Sequence, residues 1–126
     1  MGLKRVLIID DEPLIRTTTA LLLKHLNMDS MSAGNGLAGL ELAEKEKPDL
    51  IMLDIKMPGM DGWMVLSRLK ANERLSKIPV IVFTAGDGMD SEGKALERGA
   101  SAVCKKPFQP QELIGSIENI LSRRKI

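Results

Sequence analysis

The sequence predicts a doubly wound α/β domain, a (βα)5 three-layer sandwich in which helices cover both faces of a parallel sheet. Three observations carry this reading. Val6-Leu7-Ile8-Ile9, Leu50-Ile51-Met52-Leu53 and Val80-Ile81-Val82-Phe83 are continuous apolar runs, the pattern of strands buried on both faces. Between them lie longer segments whose apolar residues recur every three or four positions, the period of a helix. The 126 residues suit one domain, expected to fill 1–126 with its core at about 4–122, and long enough to bury a core.

After the first strand, Glu12-Pro13 makes an acidic, proline-tolerant first turn, and Leu14, Thr18, Leu21, Leu22 and His25 recur at helical spacing. The segment Ser30 to Ala33 is polar and reads as an edge strand. Asn35-Gly36 reads as a positive-φ turn leading into a second helix that carries Leu37, Leu40 and Ala43. Beyond the strand at Leu50–Leu53, the Pro- and Gly-bearing loop Met57 to Gly62 leads into a third helix with Met64, Val65, Leu66 and Leu69. The strand at Val80–Phe83 precedes a weaker helix from about Asp90 to Arg98, stopped by Gly99. Ala102-Val103-Cys104 is the fifth strand, and Leu113, Ile114, Ile117, Ile120 and Leu121 share one face of the last helix. Strands that alternate with helices in this way require right-handed crossovers and an open sheet.

Composition narrows the function. Lys and Arg number 18 against 17 Asp and Glu, a net charge of +1, so the concentrated positive field that a nucleic-acid or anionic membrane surface needs is absent. The single Cys104 cannot form an internal disulfide, and no apolar run approaches the ~20 residues of a bilayer span. A cytoplasmic protein without direct nucleic-acid or membrane contact is expected. Gly34-Asn35-Gly36-Leu37-Ala38-Gly39 matches G-x-G-x-x-G in letters, but a polar segment precedes it where a dinucleotide fingerprint requires a hydrophobic strand.

The informative pattern lies in the residues directly after each strand. The first strand ends in Asp10-Asp11, the third in Asp54, the fourth in Thr84 and the fifth in Lys106-Pro107. Strand carboxyl ends of an open parallel sheet share one edge, where ligands bind. Any one of these residues is an ordinary strand terminator, but together they bring three carboxylates, a hydroxyl and an ammonium to one crevice. Clustered carboxylates repel, and an all-oxygen site with room for water suits Mg²⁺. Neither His25 nor Cys104 is placed to make a zinc site. A carboxylate beside a cation, with Lys and Thr at hand, fits phosphoryl transfer.

Five stretches in order then carry a family resemblance over essentially the whole chain. They are Val6 to Glu12, Leu53 to Gly62, Val82 to Ala85, Gly99-Ala100 and Lys105 to Phe108. The sequence resembles the receiver domain of two-component response regulators, with a fold akin to chemotaxis receivers. The resemblance implies a flavodoxin-like sheet in the order 2-1-3-4-5. It implies that Asp54 accepts a phosphoryl group from a sensor histidine kinase, a phosphotransfer protein or a small phosphodonor. It implies Mg²⁺ on Asp11, Asp54 and the Lys56 backbone carbonyl, with Asp10 acting through water. Lys106 and Thr84 would contact the phosphoryl oxygens, and the Lys106-Pro107 bond would be cis. Output would run through the face made by the fourth helix, fifth strand and fifth helix, to an unknown partner or a phosphorylation-dependent second copy. With one receiver filling the chain, output is expected by contact rather than by an enzymatic activity beyond the domain's own phosphorylation and dephosphorylation.

Three positions depart from the family pattern. The aromatic switch residue is replaced by Val103, which fills space beside Thr84 but has no aromatic rotamer to flip. Lys56 and Gly86 stand where side chains often orient water for hydrolysis, and neither offers a carboxylate or amide, so a phosphoryl lifetime unlike that of fast-cycling relatives is expected. An aspartyl phosphatase of the haloacid dehalogenase type would share the chemistry. It needs an acid two residues after its nucleophile, where this chain has Lys56, and a nucleophile on the first strand.

Overall fold

The computed structural model describes residues 4–84 and 91–123. Ala85 and Gly86, and Asp90 at the expected start of the fourth helix, lie outside the described residues. Five strands and five helices alternate. They are β1 (Arg5–Ile9), α1 (Pro13–His25), β2 (Asp29–Ala33), α2 (Gly36–Glu46), β3 (Leu50–Asp54), α3 (Gly62–Ala71), β4 (Val80–Thr84), α4 (Ser91–Glu97), β5 (Ala102–Lys105) and α5 (Pro110–Arg123). The sheet runs β2-β1-β3-β4-β5 with every neighbouring pair parallel. This is the doubly wound, flavodoxin-like sandwich.

Pleating divides each central strand between two cores. Val6, Ile8, Leu50, Met52, Ile81 and Phe83 pack with Leu23 of α1 and with Leu113, Ile117, Ile120 and Leu121 of α5. Leu7, Ile9, Ile51, Leu53, Val80 and Val82 pack with Ala43 of α2, Val65, Leu66 and Leu69 of α3, and Ala95 of α4. Every residue of β3 and β4 is buried, and up to the terminal Asp54 and Thr84 their sequences are unbroken apolar runs. The edge strand β2 keeps polar Ser30 and Ser32 exposed.

Two expectations from the sequence are corrected. In α1 the buried residues are Thr19 and Leu23, while Leu14 and Leu21 are 75% and 58% exposed. Both stripes of α1 carry apolar residues and differ by about 100° of rotation, and the sheet takes the one that ends in Leu23. Asn35-Gly36 is not a positive-φ turn. Asn35 is an extended N-cap (φ −155°) whose side chain accepts from the Ala38 N–H at 2.9 Å, and Gly36 is already helical. Gly36 is small because a Cβ there would lie 2.7 Å from Val65 Cγ2.

Two glycines shape the ends of the sheet, Gly99 at the amino edge and Gly62 at the carboxyl edge. Gly99 adopts φ +104° after α4, the left-handed stop that allows the chain to enter β5. Gly62 opens α3 against the end of β3, and its N–H donates to the Ile55 carbonyl at 2.8 Å. A Cβ at Gly62 would lie 2.4 Å from the Asp54 carbonyl oxygen and from Ile55 Cα, a clash with backbone that no rotamer relieves. Gly62→Ala should therefore lower stability by about 1–3 kcal/mol as overpacking does, whereas Gly115→Ala, exposed in α5 with open space at its Cβ, should raise it by about 0.5–1 kcal/mol. Urea midpoints of the two variants check this, and the same direction of change in both would contradict it.

Candidate functional site

The site is assembled by backbone pairing at the carboxyl edge. The Asp10 N–H donates to the Ala33 carbonyl at 3.1 Å, which extends β1 one residue alongside β2. Asp10 Oδ1 then accepts from the Glu12 N–H at 2.9 Å, a tight turn that folds Asp11 and Glu12 over the strand end before Pro13 starts α1. Ile55 donates to the Phe83 carbonyl at 3.1 Å, so β3 continues past Asp54 beside β4. The Lys56 N–H donates to Asp54 Oδ1 at 3.2 Å, fixing that carboxylate from its own loop. Lys106 comes just after β5, tied by its N–H to the Thr84 carbonyl at 2.7 Å, and the Lys106-Pro107 peptide is cis. Phe108 then stacks on Phe83 with ring centroids 5.3 Å apart, seating this loop on the α1–α5 core.

Asp10, Asp54 and Thr84 are buried, Asp11 is half-buried and Glu12 is exposed. One oxygen from each of Asp10, Asp11, Glu12 and Asp54 lies within 4.8 Å of the others. The Lys106 ammonium enters the same cluster, 2.8 Å from Asp10 Oδ2, 3.3 Å from Glu12 Oε1 and 3.4 Å from Asp54 Oδ2. Burial and the neighbouring Asp10 charge push the Asp54 carboxyl up from 3.8 to about 6, against the opposing pull of Lys106 and the Lys56 N–H. Burial alone would lower the Lys106 ammonium, but Asp10, Asp54 and Glu12 outweigh it and hold it above its usual value.

Thr84 ends β4 on the same face as Val82, toward α4, and Val103 packs into that core from β5. His25 is exposed near the end of α1, and Cys104 is buried beside Ser116. The sequence placed the chemistry at Asp10, Asp11, Asp54, Thr84 and Lys106, and these gather at one edge with the Lys56 backbone. Two residues it did not assign to the site belong there, Glu12 through its ion pair with Lys106 and Gly62 through its packing on the Asp54 backbone. The position of Glu12 directly after the Asp10-Asp11 pair was a readable signal for the first.

A buried carboxylate, neighbouring acids, a lysine and a hydroxyl thus stand together at the carboxyl edge of a 2-1-3-4-5 parallel sheet, the edge where such folds bind their ligands. Residues 6–118 match the family described as the response regulator receiver domain. The chain is 36% identical over 119 residues to the DNA-binding dual master transcriptional regulator RpaA of Synechocystis, covering 94% of this chain and 49% of that protein. It is 40% identical over 121 residues to the transcriptional regulatory protein PdtaR of Mycobacterium tuberculosis, covering 95% and 58%. The solved receiver domain of Francisella response regulator 1452 superposes with a TM-score of 0.87 at 29% identity, covering 98% of this chain and 99% of that one. The chain belongs to the response regulator receiver domain family, a phosphoacceptor family of two-component signalling. It spans about half the length of the curated relatives it matches.

The raised Asp54 carboxyl has a measurable consequence. It holds its proton more tightly folded than unfolded, so the stability it contributes is fully present below pH 3.8 and is lost as pH rises through about 6. Asp54→Asn should therefore stabilise the metal-free protein by about 1–2 kcal/mol near pH 7.5 and have much less effect near pH 4. Thermal melts in chelator at the two pH values read this out, and an equal gain at both would show that the ionised carboxylate is not its source.

Proposed function

We propose that Asp54 is the phosphoacceptor, that Asp10, Asp11, Asp54 and the Lys56 backbone carbonyl hold Mg²⁺, and that phosphorylation controls partner binding. The observation that supports this most strongly is the single cluster of Asp10, Asp11 and Asp54 oxygens around which Lys106 closes. The donor set fits a hard divalent cation, since it is all oxygen, open on the Asp11 side and crowded with like charge. When bound, Mg²⁺ would neutralise phosphoryl oxygens and the acids around them.

The chain's own groups do the rest. An Asp54 carboxylate oxygen attacks phosphorus in line, and the bond from phosphorus to the donor's nitrogen or oxygen breaks as the new P–O bond forms. The donor is a sensor histidine kinase, a phosphotransfer protein or a small phosphodonor. Lys106 donates to a phosphoryl oxygen, and Thr84 hydrogen-bonds another from the end of β4. Drawing Thr84 toward the phosphoryl group vacates space that Val103 can fill, making these two residues the switch. The active conformer binds the acyl phosphate better, and reversing a 1:99 population requires about 5.5 kcal/mol of such preference.

Output would run through α4, β5 and α5, to an unknown partner or a second copy of this chain. Gene control, which the names of RpaA and PdtaR attach to those longer proteins, reaches this chain only through that contact surface. The residues 1–126 form one receiver unit in this reading, and the domain's own Mg²⁺-dependent phosphorylation and dephosphorylation at Asp54 are the reactions it catalyses. A lifetime unlike that of fast-cycling relatives is the consequence of Lys56 and Gly86, which bring no carboxylate or amide to orient water.

Incubation with Mg²⁺ and a small acyl phosphate, followed by intact mass, tests the assignment. Wild type should gain one phosphoryl group, and Asp54→Asn or chelation should prevent the gain. A folded wild type that stays unmodified would remove the central claim.

A further inference from the structure

Lys106 is fully engaged before any phosphoryl group arrives. Its ammonium has three N–H groups, and three carboxylates face them at 2.8 Å (Asp10), 3.3 Å (Glu12) and 3.4 Å (Asp54). A phosphoryl oxygen can therefore gain a Lys106 N–H only by displacing a carboxylate. The three are not equally displaceable. Asp10 makes the shortest contact and its side chain is 2% exposed, so releasing it would strand a buried anion. Asp54 is itself converted into the acyl phosphate. Glu12 is 58% exposed, sits at the N-cap of α1, and can exchange Lys106 for water at little cost.

We propose that Glu12 is a positioning residue of the phosphorylation reaction, a resting-state holder of Lys106 that must yield its N–H to the incoming phosphoryl group. This rests on Asp54 being the phosphoacceptor. Glu12 occupies Lys106 in the resting site and is displaced in the phosphorylated one. Its removal accordingly changes the rate of entry and not the rate of decay. The carboxylate acts through its reach to Lys106, not through its charge alone, so a shortened acid should behave like a neutral residue.

The test uses the full chain with Mg²⁺ and acetyl phosphate, following phosphorylation by intact mass over a range of donor concentrations. Glu12→Gln should raise the apparent second-order rate of phosphorylation about 3- to 10-fold, the size expected for loss of one partly exposed charged contact. Glu12→Asp, which keeps the charge but is one methylene shorter, should also raise it. After donor removal both variants should lose the phosphoryl group within about two-fold of the wild-type rate, since a holder already displaced cannot affect decay. No rise in Glu12→Gln overturns the proposal. A rise in Glu12→Gln alone, with Glu12→Asp at the wild-type rate, reduces the effect to a surface charge and equally overturns it. Faster decay in parallel with faster entry would mean a loosened site, and would do so too. Wild type serves as the control for the underlying assignment: if it accepts no phosphoryl group, the Asp54 reading fails before Glu12 is tested.

Discussion

The arrangement at the carboxyl edge depends on one constraint, that buried carboxylates end strands which a parallel sheet places side by side. Asp10 and Asp54 are both nearly excluded from water, and neither is balanced by a charge on its own strand. Coulomb repulsion between buried anions is far stronger than at the surface, so the fold must bring a cation from elsewhere. Lys106 meets that need from the end of β5, which lies two strands away from β3. Its position is set by backbone, through the Thr84 carbonyl, and by the seating of Phe108 on Phe83. The ion pair thus joins β1, β3 and β5 across the breadth of the sheet.

The lysine offsets this repulsion only in part. Burial and Asp10 outweigh the help from Lys106 and hold the Asp54 carboxyl up at about 6. Two features keep the loaded carboxylate in place. The Lys56 N–H holds one oxygen from the loop side, and Gly62 allows the first turn of α3 to press against the Asp54 backbone. From the next residue, Trp63, the same turn reaches Lys94 of α4 and Arg98 just past its end, which lie 4.5 and 5.4 Å from the ring. The segment that constrains the Asp54 carboxylate is therefore packed against the helix on the proposed output face.

The fold was legible because its strands are covered on both faces. Val80 to Phe83 carries no alternation to mislead, and Gly99 marks the end of α4 by conformational necessity. The face of α1 was not legible, since Leu14 and Leu21 are as apolar as Ile15 and Leu22, and only the packing of Leu23 beneath β1 selects between them. Asn35-Gly36 looked like a left-handed turn because the pair favours one, yet an N-cap bond to Ala38 satisfies the same residues in an extended geometry. In the site, the carboxylates could be read from their positions after strands. The pairing of Glu12 with Lys106 could not, because the two are 94 positions apart and meet only once β1 and β5 lie in one sheet.

The near-neutral total charge takes on a different meaning in this light. A net charge of +1 describes the outer field, but the reactive edge gathers Asp10, Asp11, Glu12 and Asp54 around one lysine. This is a local anionic excess inside a nearly neutral molecule. Such an edge costs folding stability, and the two apolar cores on either side of β1, β3 and β4 are what the molecule sets against that cost. The cost also serves the chemistry. A cluster relaxed by its own counter-charges would gain little from a cation or a phosphoryl group, whereas one left short of positive charge would, in the proposed function, be stabilised by a cation and rearranged by the phosphoryl group that follows. In the proposed function the imbalance at the sheet edge would link folding to signalling: what the protein leaves uncompensated when it folds is what a cation and a phosphoryl group would satisfy.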